Sequence, residues 1–109
     1  MSTENSTGQQ PPGEAEIIDV EEYAKAGWEK PQQARAFRIR IDRELRVVNQ
    51  RIITGREILA LVGKTPEQFI LTQRFPNGQV KTIEANDKVD LADPGVERFM
   101  TMRRDAQEG

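Results

Sequence analysis

The sequence contains no cysteine and no histidine, and its 109 residues include one tryptophan and one tyrosine. Without cysteine there is neither a disulfide framework nor a thiolate metal site, and thiol chemistry is excluded. Without histidine the chain lacks the side chain most often used as a general base near neutral pH and as a metal ligand. Only carboxylates, lysines and one tyrosine remain for acid–base work. The chain therefore does not read as an enzyme: no catalytic residue, no metal site and no cofactor is expected. No apolar run approaches the roughly 20 residues that span a bilayer, and the N-terminus lacks the basic and apolar blocks of a signal peptide. These features predict a cytoplasmic protein with no membrane partner.

Hydrophobic residues make up 36% of the chain, below the roughly 45–50% of globular domains, so part of it is expected to stay outside a core. Charge is unevenly divided. Residues 1–34 carry seven acids and two lysines, whereas residues 35–109 carry eleven acids and fourteen bases. The sequence therefore reads as a flexible acidic extension over 1–34, a folded domain over 35–102 and a flexible tail over 103–109.

Residues 1–16, MSTENSTGQQPPGEAE, offer almost no apolar side chain to offset the entropy of ordering and are expected to be disordered. Residues 17–28, IIDVEEYAKAGW, differ, because Ile17, Ile18, Val20, Tyr23 and Trp28 are large apolar groups in a polar stretch. Two fates are open to them. They dock on their own domain, or they form an interaction arm whose aromatic anchors supply binding energy against another protein. In the second case the acidic arm could lie on a basic face of a neighbouring copy and produce self-association.

From residue 35 the apolar period becomes two. Phe37, Ile39 and Ile41 alternate with Arg38 and Arg40, as in a half-buried strand. A three-residue loop, Asp42-Arg43-Glu44, would set Ile41 opposite Leu45 and Ile39 opposite Val47, leaving Arg38, Arg40 and Arg46 on the outer face of a hairpin. The segment TGREILALVG carries helix signals in order: Thr54 as N-cap, Glu57 as its capping-box partner, and Gly63 as the stop. Further strands are expected over 69–75, 79–83 and 96–102, the first two joined at Pro76-Asn77-Gly78 by a type I′ turn. Val89 and Leu91 are expected to plug the bottom of the core.

Hairpin, helix and three strands make an α+β domain. A right-handed crossover can set the first and last strands parallel at the centre of a mixed sheet, which is the β-grasp (ubiquitin-like) arrangement with one main helix. A small open α+β sandwich fits the same order.

FRIRID with LRVVNQ, then TGREILALVG, PNGQVKTI and VDLADPGVERFMTM, together resemble the ubiquitin-like repeat of bacterial multiubiquitin-type proteins, and IDVEEYAKAG resembles the lead-in to that repeat. The resemblance implies a ubiquitin-like modifier, activated at a C-terminal glycine and conjugated to target proteins in bacterial systems linked to phage defence. Its implied partners are activating-like and conjugating-like enzymes and a deconjugating peptidase. A non-covalent scaffold or self-assembling subunit using the N-terminal arm is the alternative.

On this reading Gly109 is the conjugation residue and Arg103 and Arg104 contribute to tail recognition. Ten residues follow Phe99, an extended reach of roughly 33–36 Å. Ile70, Thr72, Arg98 and Met100, rimmed by Arg38 and Arg40, are expected to form the partner-binding surface on the sheet face away from the helix. Nothing in the spacing of Lys64, Lys81 and Lys88 selects a linkage residue. Nucleic acid is not an expected partner, since no aromatic residue interleaves with the arginines of the hairpin. Asp87, Asp90 and Asp93 fall in a turn-rich stretch and lack the downstream glutamate of a calcium loop.

Overall fold

The computed structural model describes residues 17–104. Both the expected disorder of residues 1–16 and the expected tail carrying Gly109 fall on residues outside that range. The elements in chain order are β1 (Ile17–Asp19), α1 (Val20–Ala26), β2 (Ala36–Ile41), β3 (Glu44–Val48), β4 (Ile52–Thr54), α2 (Gly55–Leu61), β5 (Phe69–Arg74), β6 (Val80–Ile83), β7 (Lys88–Asp90) and β8 (Arg98–Arg103). They build a mixed six-stranded sheet and a small β4–β7 ribbon.

The sheet centre is the parallel contact of β2 with β8, in which Ile41 faces Phe99 and the Asp42 N–H donates to the Phe99 carbonyl at 2.9 Å. Antiparallel pairing adds β3 beside β2, β5 beside β8 and β6 beside β5. Inward residues Phe37, Ile39 and Ile41 of β2, Leu71 of β5 and Phe99 of β8 share one core with Ile58 and Leu59 of α2. Thr54 caps α2 by accepting the Glu57 N–H at 3.2 Å while the Glu57 carboxylate accepts the Thr54 N–H at 2.9 Å. Val89 and Leu91 are buried in the same core. This is the β-grasp arrangement.

The first correction concerns residues 17–34. Ile18 and Val20 are fully buried and Tyr23 nearly so; they belong to the chain's own core and are not an arm held out to a partner. Phe37 pairs with Val48 of β3 and also with Ile18 of β1. A strand residue has only two hydrogen-bonding sides, so β1 lies on the side of β2 opposite β3. That side is open there because β8 meets β2 only at Ile41. The helix that follows is capped at both ends: Asp19 accepts the Glu22 N–H at 3.0 Å, and Gly27 takes a left-handed φ of 74° at its C-cap. Seven residues are too short to hold a helix alone. Burial of Val20, Tyr23 and Ala24 holds this one. The folded unit thus starts at Ile17 in the described chain, not at residue 35.

The hairpin register also differs. Ile41 pairs with Glu44 and Ile39 with Arg46, so the loop has two residues, Asp42 and Arg43. Asp42 adopts a φ of 56°, a region a non-glycine residue enters when its side chain is held locally. Here the Asp42 carboxylate accepts the Thr101 N–H at 2.8 Å and the Thr101 hydroxyl at 2.6 Å. Arg46 consequently lies over the helix face of the sheet and donates from Nε to the Leu61 carbonyl at the end of α2 at 3.0 Å, a favourable place for a cation. Leu45 and Val47 turn outward, each 46% exposed. The Pro76 turn is corrected as well. Only Gly78 has a positive φ, and Phe75 N–H bonds the Gln79 carbonyl. This fits a type I turn led by proline with glycine in the following bulge position, since proline cannot take the positive φ of a type I′ turn.

Replacing Ile18 by alanine is expected to cost about 2–5 kcal/mol, while Ile17→Ala, at a side chain 46% exposed, is expected to stay within about 0.5 kcal/mol. Urea denaturation of both variants checks this; a negligible effect at Ile18 would mean that β1 is not integral to the fold.

Candidate interaction surface and tail exit

The alternation of each strand sends a second set of side chains to the sheet face away from α2. Across β5 and β8 the facing pairs are Ile70 with Met102, Thr72 with Met100, and Arg74 with Arg98. On β2 and β3 they are Arg38 with Val47 and Arg40 with Leu45. The residues expected to form a partner surface, Ile70, Thr72, Arg98, Met100, Arg38 and Arg40, therefore do share one face. Their weights differ from expectation: Ile70 and Met100 are half-buried, whereas Met102, Val80, Leu45, Val47 and Ile17 are exposed apolar groups of that face. Leu45 and Val47 escaped the sequence reading because a one-residue change of register moves a whole strand's side chains to the other face.

The arginine row between these apolar groups is matched from within the chain. Asp19 accepts from Arg38 Nη2 at 2.9 Å and Nε at 3.1 Å, and Glu21 accepts from Arg40 Nε at 2.6 Å. The acids that the sequence offered for a neighbouring copy thus bind their own hairpin. Burial pushes the Glu21 carboxyl up, but hydrogen bonds and charge from Arg40 and Lys25 outweigh it and hold the group below its ordinary 4.5. On the same face, Arg98 Nε is buried with no hydrogen-bond partner among the described residues.

The end of β8 is fastened to the turn before β5. The Arg104 N–H donates to the Gln68 carbonyl at 2.8 Å and its Nε to the Pro66 carbonyl at 2.9 Å. The Arg103 guanidinium sits 5.6 Å from the Phe69 ring centroid, and Lys64 approaches the same ring at 4.6 Å. Lys64 also donates to Thr101 Oγ1 at 2.8 Å and to Asp42 Oδ2 at 3.2 Å. Burial raises the Asp42 carboxyl, but bonds from Thr101 and Lys64 outweigh it and leave the group below its ordinary 3.8. Arg103 and Arg104 are therefore occupied by their own domain. Lys81 and Lys88 remain exposed. Asp87, Asp90 and Asp93 serve as turn acceptors for the N–H groups of Glu84, Ala92 and Gly95.

One buried cation stands apart from these surfaces. Lys30 Nζ donates to the carbonyls of Asp93 and Val96, both at 2.6 Å, tying the stretch between α1 and β2 to the loop before β8. Burial lowers its pKa to about 8.

These features define a ubiquitin-like β-grasp protein. Residues 37–104 match the Multiubiquitin family model. That is well over half of the chain, and the chain belongs to the multiubiquitin family. The match begins at Phe37, so β1 and α1 lie upstream of it. No curated protein and no solved structure matches the chain. Among the described residues, no helix is long and apolar enough to cross a membrane.

The titrations have opposite signs. Glu21 and Asp42 are depressed in the fold, so their contribution is present above ordinary carboxylate values and is lost as pH falls through their folded values. Stability is expected to drop below about pH 4.5, less steeply in Asp42→Asn. Lys30 is depressed from 10.5 to about 8, so above that value the unfolded chain holds the extra proton and stability rises with pH. Urea midpoints at about pH 7.5 and about pH 9.5 should show this rise, and Lys30→Met should abolish it.

Proposed function

We propose that this protein is a ubiquitin-like modifier: partner proteins read its outer sheet face, and Gly109 is the residue through which it is joined to targets. Membership in the multiubiquitin family supports the reading, and ubiquitin-like domains are generally not enzymes. The observation that carries it furthest is the course of β8. This strand crosses the sheet centre beside β2 and runs on, paired with β5, to exposed Met102 and Arg103 and the fastened Arg104, after which five residues remain, Gly109 included. A terminal glycine suits a narrow enzyme channel because it carries no side chain to clash. The partners of this reading are an ATP-dependent activating enzyme, a conjugating enzyme, a deconjugating peptidase and target proteins, in a bacterial phage-defence setting and in the cytoplasm.

The decisive experiment is incubation of the full chain with its activating and conjugating enzymes and ATP, followed by mass spectrometry. Adducts attached through Gly109, and lost when Gly109 is deleted, are expected. Persistent absence of adducts, with partner binding intact, would replace the modifier by a non-covalent scaffold. The surface has its own test. Met102→Asp and Leu45→Asp are expected to keep unfolding stability within about 0.5 kcal/mol yet weaken partner binding by more than about 1 kcal/mol each, roughly fivefold or more. Unchanged affinity in both would remove this face from the proposal.

A further inference from the structure

A groove of about 680 Å³ lies where the end of α1 and the stretch leading to β2 meet the loop before β8, and it belongs to neither the outer sheet face nor the tail exit. Its walls include Tyr23, Trp28, Pro31, Ala92 and Pro94. The Tyr23 and Trp28 rings meet edge to face, with centroids 5.2 Å apart. Lys30 also borders it, but its ammonium is turned to the Asp93 and Val96 carbonyls, so the cation is committed to the backbone. Apart from the exposed Glu29 at its edge, the wall is one of aromatic and proline rings, which suits a polyproline II segment, whose ring faces stack on aromatic side chains at low entropy cost.

We propose that this groove takes the Gln9-Gln10-Pro11-Pro12-Gly13 segment of the same chain. The segment has the matching chemistry: two consecutive prolines, no charged side chain and no bulky group that the groove would have to exclude. It also has the reach. Ile17 pairs with Ala36, so the chain upstream of β1 and the groove wall upstream of β2 diverge from one place on the sheet. Pro31 lies five residues before Ala36, and Pro12 five residues before Ile17; each stretch spans at most roughly 17–18 Å. The two prolines therefore have access to the groove without any change in β1. Being part of the same molecule, the segment has an effective concentration of about millimolar order, so contacts too weak to hold a free peptide suffice.

Trp28 is the only tryptophan of the chain, which makes its fluorescence a direct reading of the groove. In the full-length protein, the double substitution Pro11→Ser and Pro12→Ser is expected to shift Trp28 emission to longer wavelength and to increase its quenching by acrylamide, with circular dichroism unchanged. The same double change at Ser6 and Thr7, to alanine, is expected to leave both readings as they are. Emission and quenching identical between the wild type and the proline variant would overturn the proposal. So would a difference that vanishes on dilution, because the occupant would then be the segment of a second copy.

Discussion

The strand β2 is paired along both of its sides, and most of the molecule can be derived from how those sides are filled. β3 covers one side. The other is divided: β8 reaches only the C-terminal end, at Ile41, and β1 takes the remainder at Ala36, Phe37 and Arg38. Without β1, the N–H and C=O groups on that side of a central strand would need solvent or a foreign chain to satisfy them. β1 removes that need and, by setting Ile18 beside Phe37, also extends the core. The same register places Asp19 beside Arg38 on the opposite face. One pairing decision therefore supplies hydrogen bonds, buried apolar surface and charge compensation together.

That compensation changes the character of the outer face. Counted from the sequence, the hairpin is strongly basic, but Asp19 and Glu21 cancel charge at Arg38 and Arg40. That face is a mixed surface, with Leu45 and Val47 on one flank and Met100, Met102 and Ile70 on the other. Such a surface is suited to burying apolar contacts around a charged centre that is already satisfied, and it gives up much of the long-range attraction that an unpaired Arg38 and Arg40 would exert on a polyanion.

How much of this was legible in the sequence depends on how local the signal was. The capping box of Thr54 and Glu57 needs only residues three apart, and the alternation of Phe37, Ile39 and Ile41 only residues two apart; both features stand as read. The hairpin loop did not, because maximising apolar pairing favoured three residues. The deciding contacts came from Thr101, 59 residues away, and from the need to place a cation over the end of α2. For residues 17–28 the local signals were present: Asp19 with Glu22 three residues on, Val20, Tyr23 and Ala24 at helical spacing, then Gly27. What the sequence could not show was the vacant side of β2, a property of where β8 stops.

The tail is shortened by the same kind of non-local contact. Counted from Phe99, ten residues would be free to extend, but the β5–β8 ladder continues to Arg103 and Arg104 is bonded to Gln68 and Pro66. Only five residues, Gly109 included, then follow the last fastened position, a reach of roughly 17–18 Å. Any protein that acts on Gly109 while these bonds hold must therefore seat itself against the domain close to Ile70, Met102 and the Pro66 turn. A partner working from farther away must first break the Arg104 contacts, two hydrogen bonds worth about 0.5–1.5 kcal/mol each.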